Sequence, residues 1–295
     1  MKFNLSVLLL AALASARRDN DHDNNRGHGH VDRVIFLGLD GAGNFNTKLA
    51  VPAINNLLES GAYTNYASSV DPSWSAHNWA SIFHGVTPEK HGVGNDNIKT
   101  KSYPEDSQYP SIFKIINQQD PKAKLASFAQ WNPINTGLIE RSLPVYRFNK
   151  PSDDEIFPEF INFLKTNATS TKFISWVIGD IDDVGHAKCW MCSEFVDEFI
   201  RTDGYIGQIL DTLDSLRIKD STLIVIAADH GGVKYSHGGA TPKEKDVLFG
   251  IIGKDIRRKK LEDHTVRNMD AAAVILESLG YKVPANFDAK YPNLR

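Results

Sequence analysis

Five short apolar runs rich in Val, Ile and Phe, at 34–39, 124–128, 173–178, 223–228 and 247–252, recur along this chain and constrain it more than any other feature. Each is too short for a globular helix and rich in β-branched or aromatic residues, the signature of a strand buried on both faces. Segments with helical spacing lie between them, at 49–59, 78–83, 112–117, 195–216 and 266–279, the first closed by Ser60-Gly61 and the last by Gly280. Strands that alternate with helices predict an α/β fold with a mostly parallel central sheet and helices on both faces. With 41% hydrophobic residues and no composition break after residue 31, residues 32–295 form a single domain of ample core. Two stretches, 95–109 and 132–154, lack periodicity and are expected as loops that cover a site.

The amino terminus has another character. Lys2, the apolar stretch 5–13 and the small residues Ala14-Ser15-Ala16 read as a signal peptide over residues 1–16. The run falls short of the roughly 18 to 20 residues a spanning helix needs, so the mature chain is expected in the secretory lumen or outside the cell, with no transmembrane span. Residues 17–31 are charged and Asn- and Gly-rich, a disordered linker whose His22, His28 and His30 are read as solvated. A net charge of −3 gives no field for a nucleic-acid backbone, and none is expected as a partner. Only two cysteines occur, Cys189 and Cys192, for which a local disulfide is the simpler expectation in an oxidising compartment. Asn167-Ala168-Thr169 is a glycosylation sequon, which makes the exported chain a candidate glycoprotein.

In open parallel sheets, ligands bind beyond the carboxyl ends of the strands. The run 34–39 ends in Asp40-Gly41, the run 173–178 leads to Asp180, Asp182, Asp183 and His186, and the run 223–228 leads to Asp229-His230 and then His237. Taken singly, an Asp-Gly is a common turn and an Asp after a strand often caps the next helix. Together, carboxylates and imidazoles at three strand ends exceed what one tetrahedral ion needs, and a two-metal site follows. Ser75 opens a helical segment, where free backbone N–H groups and the positive dipole end suit an attacking oxygen that takes up phosphate. Read without the metal cluster, Ser75 would be an ordinary N-cap.

These motifs, in this order, resemble the nucleotide pyrophosphatase/phosphodiesterase (type I phosphodiesterase) family of the alkaline phosphatase superfamily. The resemblance rests on L-D-G ending at Gly41, P-S-W-S-A-H-N-W-A-S from Pro72, G-V-T-P-E-K-H-G from Gly85, D-D-V-G-H from Asp182, A-D-H-G from Ala228 and H-G-G-A-T-P-K-E from His237. It implies an alkaline phosphatase-like fold and a secreted metal-dependent phosphodiesterase or nucleotide pyrophosphatase. By the resemblance, Asp40, Ser75, Asp229 and His230 hold one divalent ion and Asp182, His186 and His237 another, both zinc. Ser75 is then the nucleophile that forms a phosphoserine, and Asn78, with the Ala76 N–H, donates to a phosphate oxygen. Asp180 and Asp183 align with no ligand, His84 and His91 fall in structural stretches, and His77 departs from the proline common at its position. The implied substrate is a small phosphate ester, nucleotide-like or phospholipid-like. A sulfatase is disfavoured because Ser75-Ala76-His77-Asn78-Trp79 lacks the Pro and Arg of that pattern. A phosphomonoesterase and a catalytically silent secreted metal-binding protein remain the alternatives.

Overall fold

The computed structural model describes residues 30–294. The expected signal peptide and most of the linker, with His22 and His28, lie outside the described residues. The strands are β1 (Arg33–Leu39), β2 (Ala62–Ser68), β3 (Lys124–Ala129), β4 (Val145–Asn149), β5 (Thr171–Ile178), β6 (Thr222–Ala228), β7 (Asp246–Ile252) and β8 (Lys259–Lys260). The helices are α1 (Pro52–Glu59), α2 (Ser75–His84), α3 (Pro88–His91), α4 (Ile112–Gln119), α5 (Asp153–Asn167), α6 (Asp180–Ala187), α7 (Ser193–Ser215), α8 (Pro242–Lys245) and α9 (Ala271–Ser278). The five apolar runs are the cores of β1, β3, β5, β6 and β7.

One eight-stranded sheet runs in the order β4-β3-β5-β1-β6-β7-β2-β8. The block from β4 to β6 is parallel, whereas β7 is antiparallel to both β6 and β2. All seven residues of β1 are buried, which fits its central place and its unbroken apolar sequence. Helices cover both faces: on β5, Phe173 meets Phe113 of α4, while Trp176 meets Phe160 of α5 and Tyr205 of α7. Side chains three positions apart on a strand point to opposite faces, so α4 lies on one side and α5 and α7 on the other.

The stretch 132–154, expected as loop, instead contains a π turn at Ile134–Leu138, strand β4 and the first turn of α5. Pro158 lies inside α5, where a proline ordinarily breaks a helix, and this hid the element. Strand β2 escaped because it is half-buried and polar, Ala-Tyr-Thr-Asn-Tyr-Ala-Ser, rather than a continuous apolar run. The helix expected over 266–279 begins later, with a 3-10 turn at Asn268–Asp270 that leads into α9.

The register of the parallel block positions the chemistry. Leu39 pairs with Ile178 on one side and Ala228 on the other, so β1, β5 and β6 stop at one edge of the sheet. Asp40, Gly179-Asp180 and Asp229 are therefore neighbours although some 190 residues separate the first from the last. Helix α2 is held against this edge by Trp79, whose indole occupies the space above Gly38. A Cβ added at Gly38 would lie 2.5 Å from the ring. Gly38→Val is expected to cost about 1–3 kcal/mol through overpacking, read as a lowered denaturant midpoint with an unchanged slope.

Candidate active site

Two clusters form at the edge. Asp40, Asp229 and His230 make one, and Asp182, His186 and His237 the other, the ligand atoms within each lying within 4.8 Å of one another. The clusters share a wall, because the rings of His230 and His237 stack at 3.6 Å. The motif from Asp182 to His186 lies on α6, so the two side chains stand at i and i+4 on one helix face, with His186 Nε2 3.4 Å from Asp182 Oδ2. Gly41 is required where β1 leads into its loop: its φ is +70°, and a Cβ there would be 2.7 Å from Asp182 Oδ1.

The three histidines share one orientation. Nδ1 lies 2.9 Å from the Gly231 carbonyl in His230, 2.8 Å from the Ser73 carbonyl in His237 and 2.9 Å from the Tyr235 carbonyl in His186. A carbonyl only accepts, so each imidazole donates from Nδ1 and turns the lone pair of Nε2 into the site. His186 Nε2 and His237 Nε2 face one another at 3.1 Å. Burial, with the neighbouring imidazoles, lowers the proton affinity of His230 and brings that of His237 down to about 4.

The carboxylates are equally exposed to one another's charge. Asp40 and Asp229 are buried and Asp182 is half-buried, and burial first, then the adjacent carboxylates, pushes all three well above the ordinary carboxylate range. Part of each is satisfied: Asp40 Oδ2 accepts from Trp79 Nε1 at 2.8 Å, and Asp229 Oδ1 accepts from the backbone of Gly41 and His230 at 3.0 and 2.8 Å. Asp40 Oδ1, Asp182 Oδ1 and Asp229 Oδ2 are buried without a partner. Orphaned carboxylate oxygens beside inward-facing imidazole lone pairs suit divalent cations, and the mixed O and N donor set suits zinc.

Ser75 is the first residue of α2 and Trp74 the N-cap, so the serine hydroxyl does not cap the helix. Ser75 Oγ is instead 2.9 Å from His230 Nε2. Trp74 packs edge-on against His237, with ring centres 5.0 Å apart.

The role expected of Asn78 does not fit its environment. Its Oδ1 accepts from Val70 N and from Asn268 Nδ2, each at 2.8 Å, and its Nδ2 donates to the Pro72 and Trp74 carbonyls. Asn78 is fully buried and both its donors are used in fixing the segment that leads to Ser75. The Ala76 N–H is likewise engaged, donating to Asn95 Oδ1 at 2.9 Å. Asn95 is exposed on the loop after α3, at the start of the stretch 95–109 expected as a loop that covers a site. The available signal was the Gly92–Gly94 pair, a turn that returns the chain to α2. His91 supports the turn, its Nδ1 accepting from Val93 N and its Nε2 lying 3.1 Å from Ser81 Oγ.

The other candidates stand outside the clusters. Asp180 Oδ2 caps α5 at Asp153 N, Asp183 accepts from Gln130, and His84 stacks on Tyr103. His77 is half-buried beside Gly94 and touches neither cluster. Cys189 and Cys192 are thiols in the structure, and no helix among the described residues is long and apolar enough to cross a membrane.

Comparison with known proteins places the chain in one family. The family model described as type I phosphodiesterase/nucleotide pyrophosphatase matches residues 34–291. Human ectonucleotide pyrophosphatase/phosphodiesterase family member 1 is 22% identical over 194 residues, which cover 61% of this chain and 21% of that protein. The venom phosphodiesterase of Macrovipera lebetinus is 23% identical over 215 residues, 67% of this chain and 25% of the relative. The chain thus spans a fifth to a quarter of these curated relatives. Murine ectonucleotide pyrophosphatase/phosphodiesterase 5 shares the fold with a TM-score of 0.70 at 14% identity, covering 87% of this chain and 97% of that one.

Two outcomes test the site as built. Asn78→Ala leaves several buried backbone groups unpaired and should cost about 2–4 kcal/mol in denaturant unfolding. Zinc at about 100 times its dissociation constant should add about 2.7 kcal/mol, or roughly 5–10 °C in melting temperature for a chain of this size. Because the carboxyls bind protons more readily than usual and His237 only near 4, the carboxyls are the first to compete with the metal. The zinc-induced shift should shrink as the pH falls, because those raised carboxyls take up protons before the imidazoles do, measured by scanning fluorimetry.

Proposed function

The chain belongs to the type I phosphodiesterase/nucleotide pyrophosphatase family, and from that membership we propose that it is a secreted hydrolase of phosphate diester or pyrophosphate bonds. The catalytic domain is residues 32–295, and the reaction passes through a phosphorylated Ser75. One observation carries the reading. Three inward-facing imidazoles and three carboxylates with unpartnered oxygens converge beside a single serine hydroxyl at the start of a helix.

Asp40, Ser75, Asp229 and His230 would hold one zinc, and Asp182, His186 and His237 the other. When bound, these ions supply positive charge that favours the serine alkoxide and the departing oxygen. Ser75 Oγ bonds to phosphorus as the bond to the leaving oxygen breaks, and water then releases the phosphoryl group from the serine. Its place at the first turn of α2 directs the positive end of the helix toward the developing charge. Asn95, tied to Ala76 through Oδ1, keeps the two hydrogens of Nδ2 for a phosphate oxygen, the role that Asn78 cannot fill.

The charge around the clusters favours a diester or pyrophosphate over a monoester. Among the described residues, the ion pairs of lysine and arginine go to carboxylates outside both clusters, such as Lys90 to Asp288 and Arg267 to Asp270, so no cation is paired with the cluster carboxylates, where a monoester's second charge would call for one. A nucleotide-like substrate is the leading class, since murine ectonucleotide pyrophosphatase/phosphodiesterase 5 has been solved in an inactive form in complex with AMP. A phospholipid-like ester is the other.

Ser75→Ala should abolish hydrolysis of bis-p-nitrophenyl phosphate while elemental analysis still finds zinc; undiminished turnover would remove the serine from the mechanism. Asn95→Ala should lower kcat by about 10²- to 10³-fold with little change in thermal stability, whereas an unaltered kcat would exclude it as the phosphate donor.

A further inference from the structure

Trp190 has no part in the reaction as described, yet it touches all three segments that carry the clusters. Its Nε1 donates to the carbonyl of Gly41 at 2.9 Å, directly after Asp40. Its backbone N–H donates to the Lys234 carbonyl at 2.7 Å, in the loop between His230 and His237. The indole meets His186 edge-on with centres 5.1 Å apart and lies 5.9 Å from the His237 ring. Two glycines make room for it: a Cβ at Gly185 or Gly232 would come within 2.7 or 2.2 Å of the ring. The indole is thus the shared wall behind His186 and His237, and it is buried.

The loop that presents this ring is unusual in its backbone and its chemistry. It is the four-residue segment Cys189-Trp190-Met191-Cys192 between α6, which bears Asp182 and His186, and α7. The residues on either side of Trp190 have positive φ, 155° at Cys189 and 70° at Met191, conformations that L side chains adopt only when the surroundings enforce them. The cysteines that bracket the loop lie close to one another: Cys192 Sγ is 2.8 Å from the Cys189 carbonyl. Both are partly exposed and so open to exchange with a soluble disulfide.

We propose that Cys189 and Cys192 close a disulfide across this loop, and that the bond sets how firmly Trp190 braces His186 and His237 and therefore how tightly the Asp182–His186–His237 cluster keeps its ion. Trp190 is a positioning residue, acting through the imidazoles it touches. The step is a thiol–disulfide exchange: one thiolate attacks a disulfide such as oxidised glutathione and releases one glutathione thiol. The second cysteine then attacks the mixed disulfide and releases the other. Two protein thiols lose two electrons and two protons, and one glutathione disulfide becomes two thiols. In the closed loop the strained φ values at 189 and 191 are held by a covalent link rather than by packing alone. The indole then has less freedom to withdraw. The inference rests on the metal reading of the site.

The full-length protein is loaded with zinc, then oxidised with glutathione disulfide or reduced with a phosphine and freed of reagent. Thiols are counted by iodoacetamide labelling and mass spectrometry, and zinc loss to excess EDTA is followed. The oxidised protein should show no reactive thiol and should release one of its ions about tenfold more slowly than the reduced protein, the scale on which groups behind metal ligands act. The double variant Cys189→Ser/Cys192→Ser should lose zinc at the reduced rate under both treatments. Trp190→Phe, which removes the bond to Gly41, should form the disulfide yet lose zinc quickly in both states. Equal release rates in the oxidised and reduced wild type, or thiols that stay open in excess glutathione disulfide, would overturn the inference while leaving the metal site intact. A chain that takes up no zinc would overturn the metal reading and this inference with it.

Discussion

Three crowded carboxylates that repel one another are the constraint around which this chain is organised. Asp40 and Asp229 are buried and Asp182 is half-buried with its Oδ1 out of water, and none has a lysine or arginine paired to it among the described residues. A buried charge left in that state is costly, so a chain that retains three of them must gain from something they bind. The histidines have the matching property. Each is pinned at Nδ1 by a backbone carbonyl and offers Nε2 inward, and two of those nitrogens face each other at 3.1 Å. The same cations reconcile both.

Much of the surrounding structure serves to hold these groups still. Trp79 donates to Asp40 from the middle of α2 and so ties the helix that begins at Ser75 to the first carboxylate. Asn78 and Asn268 join that helix to the backbone of Asp229 through a buried amide pair. Trp190 joins the loops after β1 and β6 to α6. Large rigid side chains suit this task because few rotamers are lost when they are fixed and each carries one polar handle.

The sheet was legible because strands buried on both faces must be apolar throughout, and the positions of Asp40, Asp182, Asp229 and His230 followed from the rule that sites gather at strand ends. What the sequence did not disclose has specific causes. Strand β2 pairs at the antiparallel margin with one face only partly covered, so its Tyr63, Asn65 and Tyr66 break the pattern. Helix α5 contains Pro158, a residue whose usual meaning is the opposite. The resemblance implies a phosphate-binding asparagine three residues after Ser75, at Asn78, whereas the asparagine that meets the Ser75–Ala76 turn, Asn95, arrives from a loop twenty residues after Ser75. The tryptophans at 79 and 190 look like core residues, and their support of the site is visible only in what their indole N–H groups touch.

In the proposed reaction Ser75, set beside the two clusters, becomes covalently phosphorylated in each turnover. Acid quenching during steady-state hydrolysis of bis-p-nitrophenyl phosphate, followed by peptide mapping, tests this most directly. A phosphoryl adduct on the peptide containing Ser75, absent when zinc has been removed, is the predicted result. An adduct at another residue, or full hydrolytic activity in protein stripped of metal, would contradict it.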